Sequence, residues 1–173
     1  MRIKRDYVAT LRSWYGWFIS RFKPLTVHTE AIFLDEVWGE IKKKVENNKV
    51  KRWYIMAPAN YEYFKSSFNT RLNKKELSKM MKQRYLWMKE KNQRLELHIH
   101  LSLTMNNMTF KEQEKLFDEA LLWMKQELNL TPKEFVPGWW SYNKDTIEIL
   151  KKNNLKLIKE RDYDYTHDFH WAL

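Results

Sequence analysis

The chain of 173 residues has no cysteine, three glycines and a formal charge of +10, from 32 Lys and Arg against 22 Asp and Glu. This excludes disulfides, thiolate metal sites, a cysteine nucleophile and a Gly-rich phosphate loop, so any metal must take N and O ligands. The charge favours anionic partners such as nucleic acid or an acidic glycan, although lysines on helical segments such as Lys42-Lys43-Lys44 are equally explained as a solvated face. A hydrophobic content of 43% suits one globular domain over 1–173. No apolar run approaches the ~20 residues of a membrane span, and the basic start lacks a small-residue cleavage site. The expected location is therefore cytoplasmic.

Residues 7–22 place Val8, Leu11, Trp14, Tyr15, Phe18 and Phe22 at helical spacing, and Pro24 ends that helix. Residues 25–34 are extended and apolar apart from His28, Thr29 and Glu30, which predicts a strand. Asp35 is expected to cap a helix through Asn47, with Val37, Trp38, Ile41 and Val45 on one face. A second strand covers 50–57 and Pro58 bounds it. Residues 59–72, rich in Tyr, Phe, Ser and Asn, read as a loop. Asn73 caps a helix to about Lys91, on which Leu77, Met81, Tyr85 and Met88 form the buried stripe. After a third strand, Thr109 and Glu112 form a capping box for a long amphipathic helix that Thr131-Pro132 breaks. A fourth strand over 135–140, a helix from Asn143 to Lys152 and a fifth strand over 155–158 complete an alternation of strand and helix. Five such repeats argue for a parallel α/β arrangement.

The third strand carries the chemistry. Residues 95–103 read LELHIHLSL, so Glu96, His98, His100 and Ser102 share one face and five aliphatic residues the other. His-x-His on a strand can simply mark the exposed face of an antiparallel edge. If the face is turned inward, converging imidazoles need compensation, for which a divalent metal is the cheapest source. His28 and Glu30 share parity on the first strand, which suits a common site, while Thr29 points the other way.

These segments resemble the polysaccharide deacetylase (NodB-type) family from Leu25 onward, the first twenty or so residues being additional. Glu96-Leu97-His98-Ile99-His100 resembles the family's histidine-bearing strand. Phe135-Val136-Pro137-Gly138-Trp139 is similar to its Arg-x-Pro-aromatic element, and Asp168-Phe169-His170-Trp171 to its closing element. The resemblance implies a small, irregular, incomplete parallel β/α barrel over 25–173 with an extra N-terminal helical segment over 1–24, and a divalent metal, zinc, as cofactor. The pattern departs in three places. Thr26-Val27-His28-Thr29-Glu30 stands where the family has Thr-Phe-Asp-Asp-Gly, the histidines are spaced by one residue rather than three, and Val136 replaces an arginine.

The implied constellation has Glu30, His98 and His100 as metal ligands and His28, Asp168 and His170 as proton-transfer groups. Trp139, Trp140, Tyr142 and Trp171 would line the substrate cleft, since aromatic rings suit sugar faces or bases. The implied activity is metal-dependent removal of an acyl group from a carbohydrate-like substrate. Two alternatives stay open: an inactive module that binds an anionic polymer, nucleic acid or glycan, and a metal-dependent nuclease. The tail from Tyr163 to Trp171 is expected to fold back over the strand ends, burying Phe169 and Trp171 and turning Asp168 and His170 toward His28 and His98.

Overall fold

The structure, a computed structural model, describes residues 25–47, 50–101 and 108–159. The expected helix over 7–22, Ser102 and the tail with Asp168, His170 and Trp171 lie outside the described residues. Five strands form one sheet in the order of the chain: β1 (Leu25–Thr29), β2 (Val50–Ile55), β3 (Arg94–Ile99), β4 (Glu134–Pro137) and β5 (Lys156–Leu157). Every pairing is parallel. Between them run α1 (Asp35–Glu46), α2 (Tyr61–Phe68), α3 (Lys74–Glu90), α4 (Phe110–Leu128) and α5 (Lys144–Lys152). A doubly wound sheet reverses its strand order; this one does not, and sequential right-handed crossovers lay the helices on one face. The result is an incomplete parallel β/α barrel, convex toward its helices.

The two faces of the sheet differ in composition. Val27, Trp53, Ile55, Leu97, Ile99 and Phe135 point to the convex side and join one core with the apolar stripes of α1, α3, α4 and α5. The concave face carries His28, Tyr54, Glu96, His98 and Val136, aligned by the register His28↔Tyr54↔Glu96 and His98↔Val136. In its middle, Tyr54, Val136 and Ile158 form a small apolar cluster covered in part by Trp140. A parallel strand covered on both faces reads as an apolar run; β3 does not, because its second face lines the barrel interior.

Several helix ends follow directly from the sequence. Asn73 accepts from the backbone N–H of Lys75 and Glu76 while the Glu76 carboxylate accepts from the Asn73 N–H, and Thr109 and Glu112 repeat the arrangement. Asn143 caps α5 and meets Thr146 and the buried Gln113 of α4, a polar contact that fixes the two helices together. Asn129, at φ 48°, ends α4, before Thr131-Pro132 is reached.

Elsewhere the structure corrects the sequence reading. The strand expected over 25–34 stops at Thr29, and residues 31–34 form a buried turn latched by Arg84, whose guanidinium donates to the carbonyls of Ile32 at 2.6 Å and Leu34 at 3.1 Å. Asp35 does not cap α1; Leu34 occupies that position, and Asp35 instead pairs with Arg84. The loop expected over 59–72 contains a 3-10 turn, Pro58–Asn60, followed by α2. The fourth strand ends at Pro137, after which Gly138–Trp140 turn with Trp139 at φ 49° and Trp140 at φ 56°.

Candidate metal centre

The carboxyl ends of β1 and β3 bring His28, Glu30, His98 and His100 together. Strand parity places His28 and His98 on the concave face, and the chain continues extended past Ile99 to bury His100 on the same side. Glu30 Oε1 lies 2.7 Å from His100 Nε2, 3.6 Å from His98 Nε2 and 3.9 Å from His28 Nε2. The second carboxylate oxygen, Oε2, accepts from the hydroxyl of Tyr63 on α2. Ligand atoms of His28, Glu30 and His98 all fall within 4.8 Å of one another.

The backbone fixes which nitrogen of His98 faces this cluster. Its Nδ1 lies 2.9 Å from the carbonyl of Val136 on the neighbouring strand, and a carbonyl can only accept, so Nδ1 carries the proton. Nε2 therefore turns a lone pair toward Glu30, and among the described residues it has no hydrogen-bond partner. An imidazole held by Nδ1–H to a backbone carbonyl, with the Nε2 lone pair left unspent, is the usual posture of a histidine metal ligand. His98 is 2% exposed, and burial holds its pKa below the usual histidine range despite the nearby Glu30 carboxylate. It is neutral and ready to donate its lone pair.

Burial alone would raise the pKa of Glu30. The hydrogen bond that His100 donates, together with the field of the neighbouring imidazoles, outweighs it and holds the carboxyl well below its ordinary range. Tyr63 is shifted the other way: burial and its bond to the Glu30 carboxylate keep the phenol protonated. His100 sits between rings, stacked on Tyr63 at 4.1 Å and 12° and edge-on to Trp139 at 4.4 Å. Asn60 donates to its carbonyl at 2.7 Å. Gly138 packs directly on the ring, and a Cβ there would overlap it.

These residues pass a simple test of fit to a divalent ion. Four-coordinate zinc at about 2.0–2.1 Å from each ligand separates its ligand atoms by about 3.3 Å; the 3.6 Å and 3.9 Å from Glu30 Oε1 to His98 and His28 lie close to that spacing. The donor set is a carboxylate and two imidazoles, and the buried lone pair of His98 needs a partner.

The fold has counterparts among solved structures. No protein-family model matches the chain, and no curated protein does. The crystal structure of BA3943, a CE4 family pseudoenzyme from Bacillus anthracis, superposes with a TM-score of 0.56 at 13% identity, over 79% of this chain and 42% of that one. A mutant of the same pseudoenzyme with restored enzymatic activity gives 0.54 at 13% identity, over 78% and 43%. This chain shares part of the fold of these CE4 structures. It spans less than half the length of those two structures, and at such identity the likeness concerns the fold alone.

Within this fold, the sequence-predicted residues separate into groups. Glu30, His98 and His100 do meet, joined by His28. The tightest metal-capable trio is His28, Glu30 and His98, with His100 engaged as a donor to Glu30. Glu96, on the same face, needs no metal: Arg94 donates to it at 2.6 Å, and the backbone N–H groups of Lys133 and Glu134 at 2.7 and 2.9 Å. Trp139 is 48% exposed beside His100, whereas Trp140 leans on the Tyr54–Val136–Ile158 cluster and Tyr142 is half-buried. Sequence reasoning missed Tyr63, Asn60 and Gly138. The first two lay in the presumed loop, where Tyr61, Phe64 and Phe68 at i, i+3 and i+7 already carried a helical signal.

Proposed function

We propose that the chain is a metal-dependent hydrolase that removes an N- or O-acyl group from a carbohydrate-like substrate, using a deacetylase site rebuilt around His28, Glu30 and His98. The observation that carries this reading is the buried, unpartnered Nε2 of His98, aimed at Glu30 by the bond from Nδ1 to the Val136 carbonyl. A divalent ion held there supplies what acyl hydrolysis requires, acidification of water and polarisation of the carbonyl. His100 and Tyr63 orient the Glu30 carboxylate. Trp139 offers an exposed ring at the rim, suited to the apolar face of a sugar. Proton transfer is assigned from the sequence to Asp168 and His170, which lie outside the described residues.

Metal analysis of untagged protein tests this directly. One equivalent of zinc, cobalt, nickel or manganese is expected in the wild type and none in His98→Ala, with acetate released from an acetylated oligosaccharide only by the former. Equal and negligible metal in both proteins would sink the reading.

A second reading, binding without turnover, draws on Thr29. This residue stands where the resembling family keeps a ligand aspartate, and β1 turns it to the convex side, where it is buried. With a net charge of +10, the module would hold an anionic polymer, and counterion release predicts affinity falling steeply with salt. Metal uptake with no acyl or phosphodiester hydrolysis, together with salt-sensitive binding of RNA, DNA or acidic glycan, favours this second reading.

A further inference from the structure

Glu30 is already engaged at both oxygens. Oε2 accepts from Tyr63, and Oε1 accepts from His100 Nε2 at 2.7 Å. Each carboxylate oxygen has two lone pairs, so Oε1 retains one, on an oxygen 3.6 Å from His98 Nε2 and 3.9 Å from His28 Nε2. The donors that impose this are themselves fixed. Asn60 grips the His100 carbonyl, Tyr63 covers one face of the imidazole, and Gly138 packs against the same ring. The Tyr63 hydroxyl is not required to seat α2, which is anchored by the fully buried Phe64 and by the bond from Tyr61 to the Leu72 carbonyl at 3.0 Å.

We propose that Tyr63 and His100 are positioning residues that restrict Glu30 to one coordinating oxygen, so that the site selects a small four-coordinate divalent ion of the zinc class and rejects calcium. The proposal rests on the metal-binding reading above and adds to it the two residues that limit Glu30 to one coordinating oxygen. Calcium takes six to eight oxygen ligands and commonly chelates a carboxylate through both oxygens. A site with two imidazoles and one carboxylate oxygen, its second oxygen committed to a phenol, suits zinc in donor type and in number.

The test is a competition titration of the full chain, untagged, with zinc, manganese and calcium chlorides against a chromophoric chelator. Tyr63→Phe keeps the stack on His100 and deletes only the hydroxyl. Wild type is expected to bind zinc and not calcium. Tyr63→Phe is expected to lose about 10- to 100-fold in zinc affinity, the usual cost of removing a partner that orients a ligand, and to discriminate less against manganese and calcium. Unchanged zinc affinity and unchanged discrimination in Tyr63→Phe overturn the proposal while leaving the metal centre in place. If the wild type binds no zinc, both the metal reading and the proposal fall. Cobalt-loaded wild type gives an answer even if the variant does not fold: intense visible bands of four-coordinate cobalt are expected, and the weak bands of six-coordination overturn the proposal.

Discussion

Glu96 and Glu30 are both glutamates withdrawn into the concave side of the same sheet, one near the foot of β3 and the other just past the top of β1, yet their neighbours differ in kind. Around Glu96 only donors converge: the Arg94 guanidinium and two backbone N–H groups of the β4 approach. Arg94 and Arg52 also reach Glu134, which accepts from the Tyr54 hydroxyl at 2.8 Å. Around Glu30 donors and acceptors are mixed. Tyr63 and His100 donate, but His98 presents a lone pair, and among the described residues His98 Nε2, His100 Nδ1 and Asn60 Oδ1 have no hydrogen-bond partner. A buried carboxylate surrounded by donors is a brace. One that shares its space with unspent lone pairs can accept a cation, and that difference, rather than burial, separates brace from candidate site.

Exchanging the two glutamates for alanine should separate the two ends most sharply. Glu96→Ala strands two backbone donors and is expected to cost about 3 kcal/mol of unfolding free energy, from hydrogen bonds to a charged group, with zinc binding retained by the folded fraction. Glu30→Ala, which strands the Tyr63 and His100 donors, is expected to cost about 1.5–3 kcal/mol and to abolish zinc binding. Urea unfolding and metal titration of both variants measure the pair of effects, and a Glu96→Ala protein without zinc affinity would erase the distinction.

Gly138→Ala comes next. Its Cβ must displace the buried His100 ring, for an overpacking cost of about 1–3 kcal/mol and weaker zinc binding, since Glu30 loses its donor; Gly39→Ala, with open space around the added methyl, serves as the control. Tyr54→Phe removes one hydroxyl from the lower network and should cost about 1 kcal/mol, leaving metal affinity unchanged.

The smallest effect is in pH. The folded-state pKa values of His98 and Glu30 are both depressed, so the unfolded chain binds more protons below each group's ordinary value. Their contribution to stability is therefore full above pH ~6.5 and declines as pH falls, first through His98, which faces His28, His100 and Glu30, and then through Glu30 below pH ~4.5. Unfolding midpoints of the metal-free protein between pH 7.5 and 5.5 should drop, and His98→Asn should flatten that drop.

Much of the scaffold is legible in the sequence because its signals are local. Asn73 with Glu76 and Thr109 with Glu112 announce helix starts within four residues, and the alternation through His98 and His100 declares which face is polar. Asp35 misled because an acidic residue in the first helical turn looks like a cap, while its true partner, Arg84, lies on another helix. The parity of His28 with Glu30 and of His98 with His100 predicts that these four side chains share a side. It cannot reveal that Glu96 is satisfied and Glu30 is not, because the donors to Glu96 come from β4 and depend on sheet register. Nor can it reveal the tautomer of His98, which the Val136 carbonyl sets from 38 residues away. Tyr63 was hidden by composition: an aromatic, Ser- and Asn-rich stretch reads as a connection although its apolar spacing is helical.

The order of the strands also sets a timetable. Each strand pairs with the one before it in the chain, so a nascent polypeptide can extend the sheet one unit at a time as it leaves the ribosome. Glu30 and His28 emerge in the first unit and His98 and His100 in the third, but the carbonyl that aligns His98 belongs to β4. Until that strand docks, His98 is free to rotate and to exchange its proton between nitrogens. On the metal-binding reading proposed above, competence to hold an ion would therefore arrive only once β4 has docked, after most of the sheet has formed.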